Sequence, residues 1–209
     1  MPSAAIFDLD GTLLDTLDDL ADSANEALET CGFPVHPVEA YRIFVGDGMA
    51  VLIERILPPA SRTPATMTQL LQTYRAAYDQ RWKAKTKPYR GVEPLLLELA
   101  RRNIPLAVLS NKPQAYTEIC VAHFLAGHRF DVILGQRDAV PRKPDPAGAW
   151  EIAAHWGLPY GEILFIGDTA TAAGMVPVGV LWGFRDEAEL KTHGARHLVT
   201  RPEKILDLF

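Results

Sequence analysis

Two aspartates separated by one residue follow the first apolar segment of the chain. Asp8 and Asp10 come directly after Ala4-Ala5-Ile6-Phe7, a run of about the right length for one buried strand. On an extended backbone they point the same way, and Gly11 lets the chain turn after them. They would then stand where open α/β sheets bind ligands. Such a pair can hold a divalent cation and leave one oxygen free to attack phosphorus. The alternative is an Asp-Gly turn with solvated acids.

Three further polar segments lie at the ends of predicted elements. They are Ser110-Asn111-Lys112-Pro113 after the apolar run 106–109, Lys143-Pro144-Asp145-Pro146 at the start of a helix, and Gly167-Asp168 after the apolar run 163–166. Taken singly, each has a plainer interpretation. Ser110 and Asn111 could cap the helix that follows them, and Lys143 could be a surface lysine.

The elements that must position these residues fall into two blocks. Between about 15 and 87 the apolar residues recur every three or four positions, which predicts only helices. Beyond this block, continuous apolar strands alternate with helices, which indicates a parallel sheet covered on both faces. The predicted strands lie at 105–110, 132–134, 163–167, 178–181 and 197–199, and the predicted helices at 92–102, 113–124, 146–156 and 203–208.

The predicted fold is therefore α/β. An open, doubly wound parallel sheet is expected at 1–14 and 88–209, and a helical cap domain at 15–87. A helical insert after the first strand would lie over the carboxyl edge of the sheet, where the acids are. We expect such a cap to close over the site, with its hinges near Asp15 and Lys87.

Composition and charge argue against several kinds of binding partner. The chain has 209 residues, a formal net charge of −5 and no long Lys/Arg run, which argues against nucleic acid as a partner. Cys31 and Cys120 lack metal-ligand spacing, so we expect small buried side chains. No signal peptide or membrane-spanning stretch is legible, and a cytoplasmic enzyme, monomeric or homodimeric, is the expectation.

With all four polar segments in this order, the chain resembles the haloacid dehalogenase superfamily of phosphotransferases. This resemblance implies that Asp8 attacks phosphorus and forms an aspartyl-phosphate. It implies that Asp10 protonates the leaving oxygen and then takes a proton from water. It further implies that Mg²⁺ is held by Asp8, the backbone carbonyl of Asp10, and Asp168.

The same resemblance assigns the residues that hold the phosphoryl group. Ser110, the backbone amides near Asn111, and Thr12 are expected to bind its oxygens. Lys143 would supply a fixed positive charge where negative charge accumulates during the transfer.

The helical block indicates which branch of the family the chain resembles. Phe44-Val45-Gly46-Asp47-Gly48-Met49 and the helix after it are similar to the cap loop and helix of the phosphoglycolate phosphatase branch. Backbone amides at Gly46 could approach a small anionic substrate, and Arg55 could bind a carboxylate. A solvated arginine beside a connecting loop is the equally weighted alternative. The expected substrate is a small phosphorylated metabolite, with 2-phosphoglycolate first and a sugar phosphate second.

The fourth segment departs from the family pattern. The family usually has a second acid four residues after the Gly-Asp aspartate, but this chain has Ala172 there. Only nine residues separate Asp168 from the strand predicted to begin at Val178, too few for an ordinary crossover helix. The expectation is either a true deletion or a stretch missing between Thr171 and Ala172. A true deletion would weaken metal binding and favour a catalytically impaired protein that binds phosphometabolites.

Overall fold

The structure, a computed structural model, describes residues 2–167 and 174–209. The chain divides into two compact units, a core unit of Met1–Asp15 and Pro88–Phe209 and a helical unit of Thr16–Lys87. No helix among the described residues is both long and apolar enough to cross a bilayer.

Strands and helices alternate through the core unit, whereas the helical unit is built from helices. The strands are β1 (Ala4–Phe7), β2 (Leu14–Asp15), β3 (Lys87–Pro88), β4 (Leu106–Pro113), β5 (Val132–Gln136), β6 (Ile163–Gly167), β7 (Val176–Val180) and β8 (His197–Val199). The helices are α1 (Leu17–Thr30), α2 (Tyr41–Phe44), α3 (Met49–Ile56), α4 (Pro64–Arg81), α5 (Val92–Arg101), α6 (Gln114–Phe124), α7 (Ala147–Trp156) and α8 (Glu187–Thr192).

Six strands form one parallel sheet in the order β5-β4-β1-β6-β7-β8. All four residues of β1 are buried, because β4 and β6 flank this strand and both faces of the sheet are covered. The chain moves outward from β1 through β4 to β5, then returns to β6 on the other side. This reversal of strand order creates the crevice in which open α/β sheets bind ligands. The predicted α/β fold with a helical insertion after the first strand is confirmed.

Strand β4 runs further than the apolar pattern indicates. The prediction ended it at Ser110, whereas it continues to Pro113, with a shift of register against β5 between Leu109 and Pro113. The apolar pattern stops at Leu109, but the sheet continues because backbone pairing does not require apolar side chains. The polar segment that begins at Ser110 therefore lies within a strand end and not in a free loop.

Other differences concern short elements. Within the block predicted to be helical, residues 38–44 form a 3₁₀ turn (Val38–Ala40) followed by α2. The closing helix predicted at 203–208 is a 3₁₀ segment, Pro202–Leu208. Helix α8 and the two-residue strands β2 and β3 were not predicted, because so few residues show no periodicity. Strands β6 and β7 are parallel neighbours joined by residues 168–175. The predicted break between Thr171 and Ala172 lies outside the described residues.

A buried acid organises the helical unit. Asp19 lies in the first turn of α1, where acids interact favourably with the helix dipole, yet it is only 1% exposed. Its carboxylate accepts hydrogen bonds from the backbone N–H groups of Lys85 and Thr86, at 2.8–3.0 Å, and from the Thr86 hydroxyl at 2.7 Å. These bonds satisfy the buried charge and tie the end of the unit to its first helix.

Gly135 in β5 allows this strand to approach the start of α6 and the end of β4 closely. A Cβ atom there would lie 2.6 Å from the Cα atom of Gln114 and 2.7 Å from the carbonyl oxygen of Lys112. Gly135→Ala should therefore reduce the free energy of unfolding by about 1–3 kcal/mol, because backbone atoms must shift. Urea unfolding followed by circular dichroism measures this. Gly127→Ala is the control, since nothing lies within 4 Å of a Cβ at Gly127. Equal midpoints for the two variants would contradict the described packing.

Candidate active site

Asp8 stands at the carboxyl end of the central strand. Its backbone N–H donates to the carbonyl oxygen of Ile166 at 2.8 Å, which continues the pairing of β1 with β6 by one residue. The side chain is buried, and its Oδ1 accepts the Leu9 N–H at 2.8 Å. A Cβ atom at Gly167 would lie 3.1 Å from the Cβ of Asp8, so the glycine leaves room beside the carboxylate.

Lys143 is the partner of this carboxylate. Its Nζ lies 2.7 Å from Oδ2 of Asp8 and donates to the carbonyl oxygen of Leu109 at 2.9 Å. The side chain of Asn111 holds the backbone of Lys143 on both sides. Asn111 Oδ1 accepts the Lys143 N–H at 2.8 Å, and Asn111 Nδ2 donates to the Lys143 carbonyl at 3.0 Å. The second and third polar segments are thus joined, and together they aim the lysine at Asp8.

The electrostatics of Asp8 result from two opposing effects. Burial raises the pKa of its carboxyl above the ordinary value, because a charged carboxylate loses hydration. The ammonium group of Lys143 and the N–H of Leu9 oppose that rise. Removing the lysine would therefore leave a buried carboxylate without its main compensating charge.

A second acid–lysine pair lies beside the first and was missed by the sequence interpretation. Nζ of Lys112 lies 3.0 Å from both carboxylate oxygens of Asp10. The lysine side chain is 3% exposed and the aspartate side chain 18% exposed. The signal was available, since Lys112 is two residues from Ser110 and shares its face on an extended strand. Two carboxylates are therefore balanced by two lysines.

Ser110 and Thr12 occupy the same end of the core unit. The Ser110 hydroxyl accepts the N–H of Lys112 at 3.2 Å and keeps its own proton available for another acceptor. The carbonyl oxygen of Thr12 accepts the indole N–H of Trp182 at 3.0 Å, which anchors the loop after Asp10. Trp182 is thus a second residue, beside Lys112, that the sequence interpretation did not place in the site.

The donors available in this region fit a hard divalent cation. The Asp8 carboxylate and the Asp10 carbonyl are oxygen ligands of the kind that Mg²⁺ prefers. Within residues 2–167 and 174–209, no backbone N–H of the loop donates a hydrogen bond to the Asp10 carbonyl oxygen. The same residues contain no cluster of three or more His, Cys, Asp or Glu side chains with metal-binding geometry. The third expected ligand, Asp168, lies outside them.

The two predicted substrate contacts in the insertion belong to the helical unit. Gly46 and Gly48 have φ values of 113° and 84°, a conformation that favours glycine on both sides of Asp47. Arg55 forms an ion pair with Asp47 and donates to the carbonyl oxygens of Ile43 and Phe44. In this structure the arginine therefore braces its own loop, and its binding of a substrate carboxylate stays a prediction.

Comparison with known proteins shows which family the chain resembles. The family model described as haloacid dehalogenase-like hydrolase matches residues 5–174. A phosphoglycolate phosphatase from Photorhabdus laumondii is 32% identical, over 99% of this chain and 88% of that protein. The crystal structure of a protein described as a phosphoglycolate phosphatase, from Lactobacillus delbrueckii subsp. bulgaricus, superimposes with a TM-score of 0.91 and 30% sequence identity. The match covers 99% of this chain and 97% of that chain. The crystal structure of a predicted phosphoglycolate phosphatase from Haemophilus somnus has the same TM-score and coverage, with 26% identity. The resemblance indicated by the four polar segments is confirmed.

The buried pair predicts a stability change that depends on pH. Lys143→Met should lower the free energy of unfolding of the metal-free protein by about 3–5 kcal/mol near neutral pH, since it leaves Asp8 buried without a partner. In the variant the pKa of Asp8 rises further, so the folded state binds a proton that the unfolded state has released. Asp8 has the same pKa in both unfolded chains. The deficit should therefore grow as the pH rises from the folded pKa of Asp8 in the unsubstituted protein, which already lies above 3.8, to the still higher folded pKa in the variant.

Urea unfolding at about pH 5 and pH 7.5 measures this deficit. Lys204→Met is the matched control, because Lys204 pairs with Asp207 on the surface of the same unit. The control should change stability by less than about 1 kcal/mol. An equal effect of Lys143→Met at both pH values would show that Asp8 ionisation is not coupled to this lysine.

Proposed function

The chain belongs to the haloacid dehalogenase-like hydrolase family and is a phosphatase, and we propose that it hydrolyses a small phosphomonoester, preferably 2-phosphoglycolate. The observation that carries the proposal is the buried Asp8 at the carboxyl end of β1, 2.7 Å from Lys143. A buried carboxylate beside a fixed ammonium suits nucleophilic attack on a phosphoryl group, because the ammonium offsets the negative charge that accumulates there.

The first step is attack by an Asp8 carboxylate oxygen on phosphorus. The bond from phosphorus to the leaving oxygen breaks, and that oxygen takes a proton from Asp10 as the alcohol departs. Asp8 then carries the phosphoryl group as an acyl phosphate. The Ser110 hydroxyl, with its proton free to donate, and Lys143 bind the phosphoryl oxygens during the transfer.

The second step returns the enzyme to its starting state. The Asp10 carboxylate takes a proton from water, and the resulting hydroxide attacks the phosphorus of the aspartyl-phosphate. Inorganic phosphate leaves and Asp8 is regenerated. Bound by Asp8, the Asp10 carbonyl and Asp168, Mg²⁺ would neutralise negative charge on the phosphoryl oxygens during both steps.

The choice of substrate is proposed to lie with the helical unit, acting as a cap. The unit begins at Thr16, six residues after Asp10, and backbone groups of its loop at Gly46 would contact a small anion. Arg55 would bind a substrate carboxylate by exchanging a contact that it now makes to Asp47. The relatives' names favour 2-phosphoglycolate, and a sugar phosphate is the second candidate.

A different function is favoured by one observation in the sequence. Ala172 stands where the family has a second acid, so metal binding would be weakened if the fourth segment is truly shortened. The protein would then be a catalytically impaired relative that binds phosphometabolites. The two functions differ in whether Mg²⁺ supports turnover.

Substitution of the nucleophile tests the proposed chemistry. Asp8→Asn should abolish turnover by at least about 10⁴-fold, because the amide cannot form the acyl phosphate. After acid quenching, mass spectrometry should find phosphate on the peptide that contains Asp8 in the unsubstituted protein alone. Asp207→Asn changes an exposed acid of the same unit and should leave the rate unchanged. A tenth of the original rate in Asp8→Asn would defeat the assignment.

A substrate panel with controlled metal tests the activity itself. With Mg²⁺, kcat/KM should be highest for 2-phosphoglycolate among phosphoglycolate, hexose phosphates and p-nitrophenyl phosphate. EDTA should remove the activity, and added Mg²⁺ should restore it. Preference for a hexose phosphate would overturn the substrate and keep the reaction class. Binding of 2-phosphoglycolate by calorimetry without any turnover would support the impaired relative.

A further inference from the structure

The ion pair between Lys112 and Asp10 has no part in the chemistry described so far. Its lysine is nearly inaccessible, with 3% of the side chain exposed, and its Nζ is equidistant at 3.0 Å from both carboxylate oxygens. A side chain packed so closely has few alternative rotamers. The ammonium therefore determines where the more exposed carboxylate lies.

The backbone of Lys112 is itself held at both of its polar groups. Its N–H donates to the Ser110 hydroxyl at 3.2 Å, and its carbonyl accepts the Thr117 hydroxyl at 3.0 Å. Gly135 packs against the same carbonyl, where a Cβ atom would come within 2.7 Å. Fixed backbone and buried side chain together make Lys112 a rigid support of the kind that orients a reacting group.

We propose that Lys112 is a positioning residue that holds the Asp10 carboxylate in place for both proton transfers, an inference that rests on the proposed function. A proton moves between heavy atoms about 2.6–3.2 Å apart, so a side chain free to change its χ1 rotamer would often be out of reach. Contact with both oxygens selects one orientation. The same orientation serves leaving-group protonation in the first step and water deprotonation in the second.

Lys112 is proposed to act through the Asp10 carboxylate, so its contribution belongs to the proton transfers and not to substrate binding. Loss of the lysine should therefore slow the chemical steps and leave substrate binding nearly unchanged.

Two variants of Lys112 test whether the lysine contributes to the chemical steps and not to substrate binding. Lys112→Met should lower kcat about 10- to 100-fold, as expected for a misplaced reacting group, with KM changed less than about threefold. Lys112→Arg should recover most of the loss, because a guanidinium also contacts both oxygens of a carboxylate. Lys204→Met, which breaks a surface Lys–Asp pair, should leave both constants unchanged. Thermal unfolding checks each variant, and Lys112→Gln replaces the methionine variant if that one does not fold.

A double-mutant cycle with Asp10→Asn provides the decisive measurement. If Lys112 acts only through Asp10, adding Lys112→Met to Asp10→Asn should change kcat by less than about threefold. Multiplied losses in the double variant would overturn the inference, since the lysine would then act on its own. A raised KM with unchanged kcat would also overturn the inference and would point to substrate contact. Full activity in Lys112→Met would overturn it as well, since the lysine would then have no role in the reaction.

The cycle separates this inference from the proposed function. If the unsubstituted protein hydrolyses none of the phosphomonoesters, the proposed function fails and the inference falls with it. If it does hydrolyse them and the cycle is multiplicative, only the role of Lys112 is wrong.

Discussion

Burial of the Asp8 carboxylate beside a second acid is the constraint on which the core unit depends. Taking such a charge out of water costs several kcal/mol unless a cation and hydrogen bonds replace the lost hydration. Lys143 supplies the cation for Asp8, and Lys112 supplies one for Asp10. The polar segments at the ends of β4 and before α7 therefore have an electrostatic reason to meet at the end of β1.

The scaffold holds these charges through contacts that make little use of charge themselves. Asn111 joins the end of β4 to the backbone of Lys143, so one amide side chain fixes the loop of a residue 32 positions away. Gly167 and Gly135 contribute by lacking side chains, because a Cβ at either would crowd Asp8 or the carbonyl of Lys112. The position of each lysine is thus decided by backbone packing and not by its own flexible stem.

Buried carboxylates serve two different purposes in the two units. Asp19 is surrounded by neutral donors, with one oxygen accepting three hydrogen bonds from Lys85 and Thr86. Its acceptor capacity is consumed, which suits a structural tie. Among the residues that the structure describes, each oxygen of Asp8 has one partner, the Leu9 N–H or the Lys143 ammonium. Because a carboxylate oxygen has two lone pairs, Asp8 keeps acceptor sites that a cation or a phosphoryl group could use.

Sequence alone determined the α/β class, the helical insertion and the identity of Asp8, Asp10, Ser110 and Lys143 as the candidate residues, because strand and helix periodicity and the order of motifs are local properties. Only the tertiary structure decided which acid meets which lysine, since Asp10 and Lys112 are 102 residues apart and become neighbours through the pairing of β1 with β4. The tertiary structure also decided the extension of β4 to Pro113 and the burial of Asp19. Each depends on backbone partners from a distant segment, and no pattern within a short stretch of sequence carries that information.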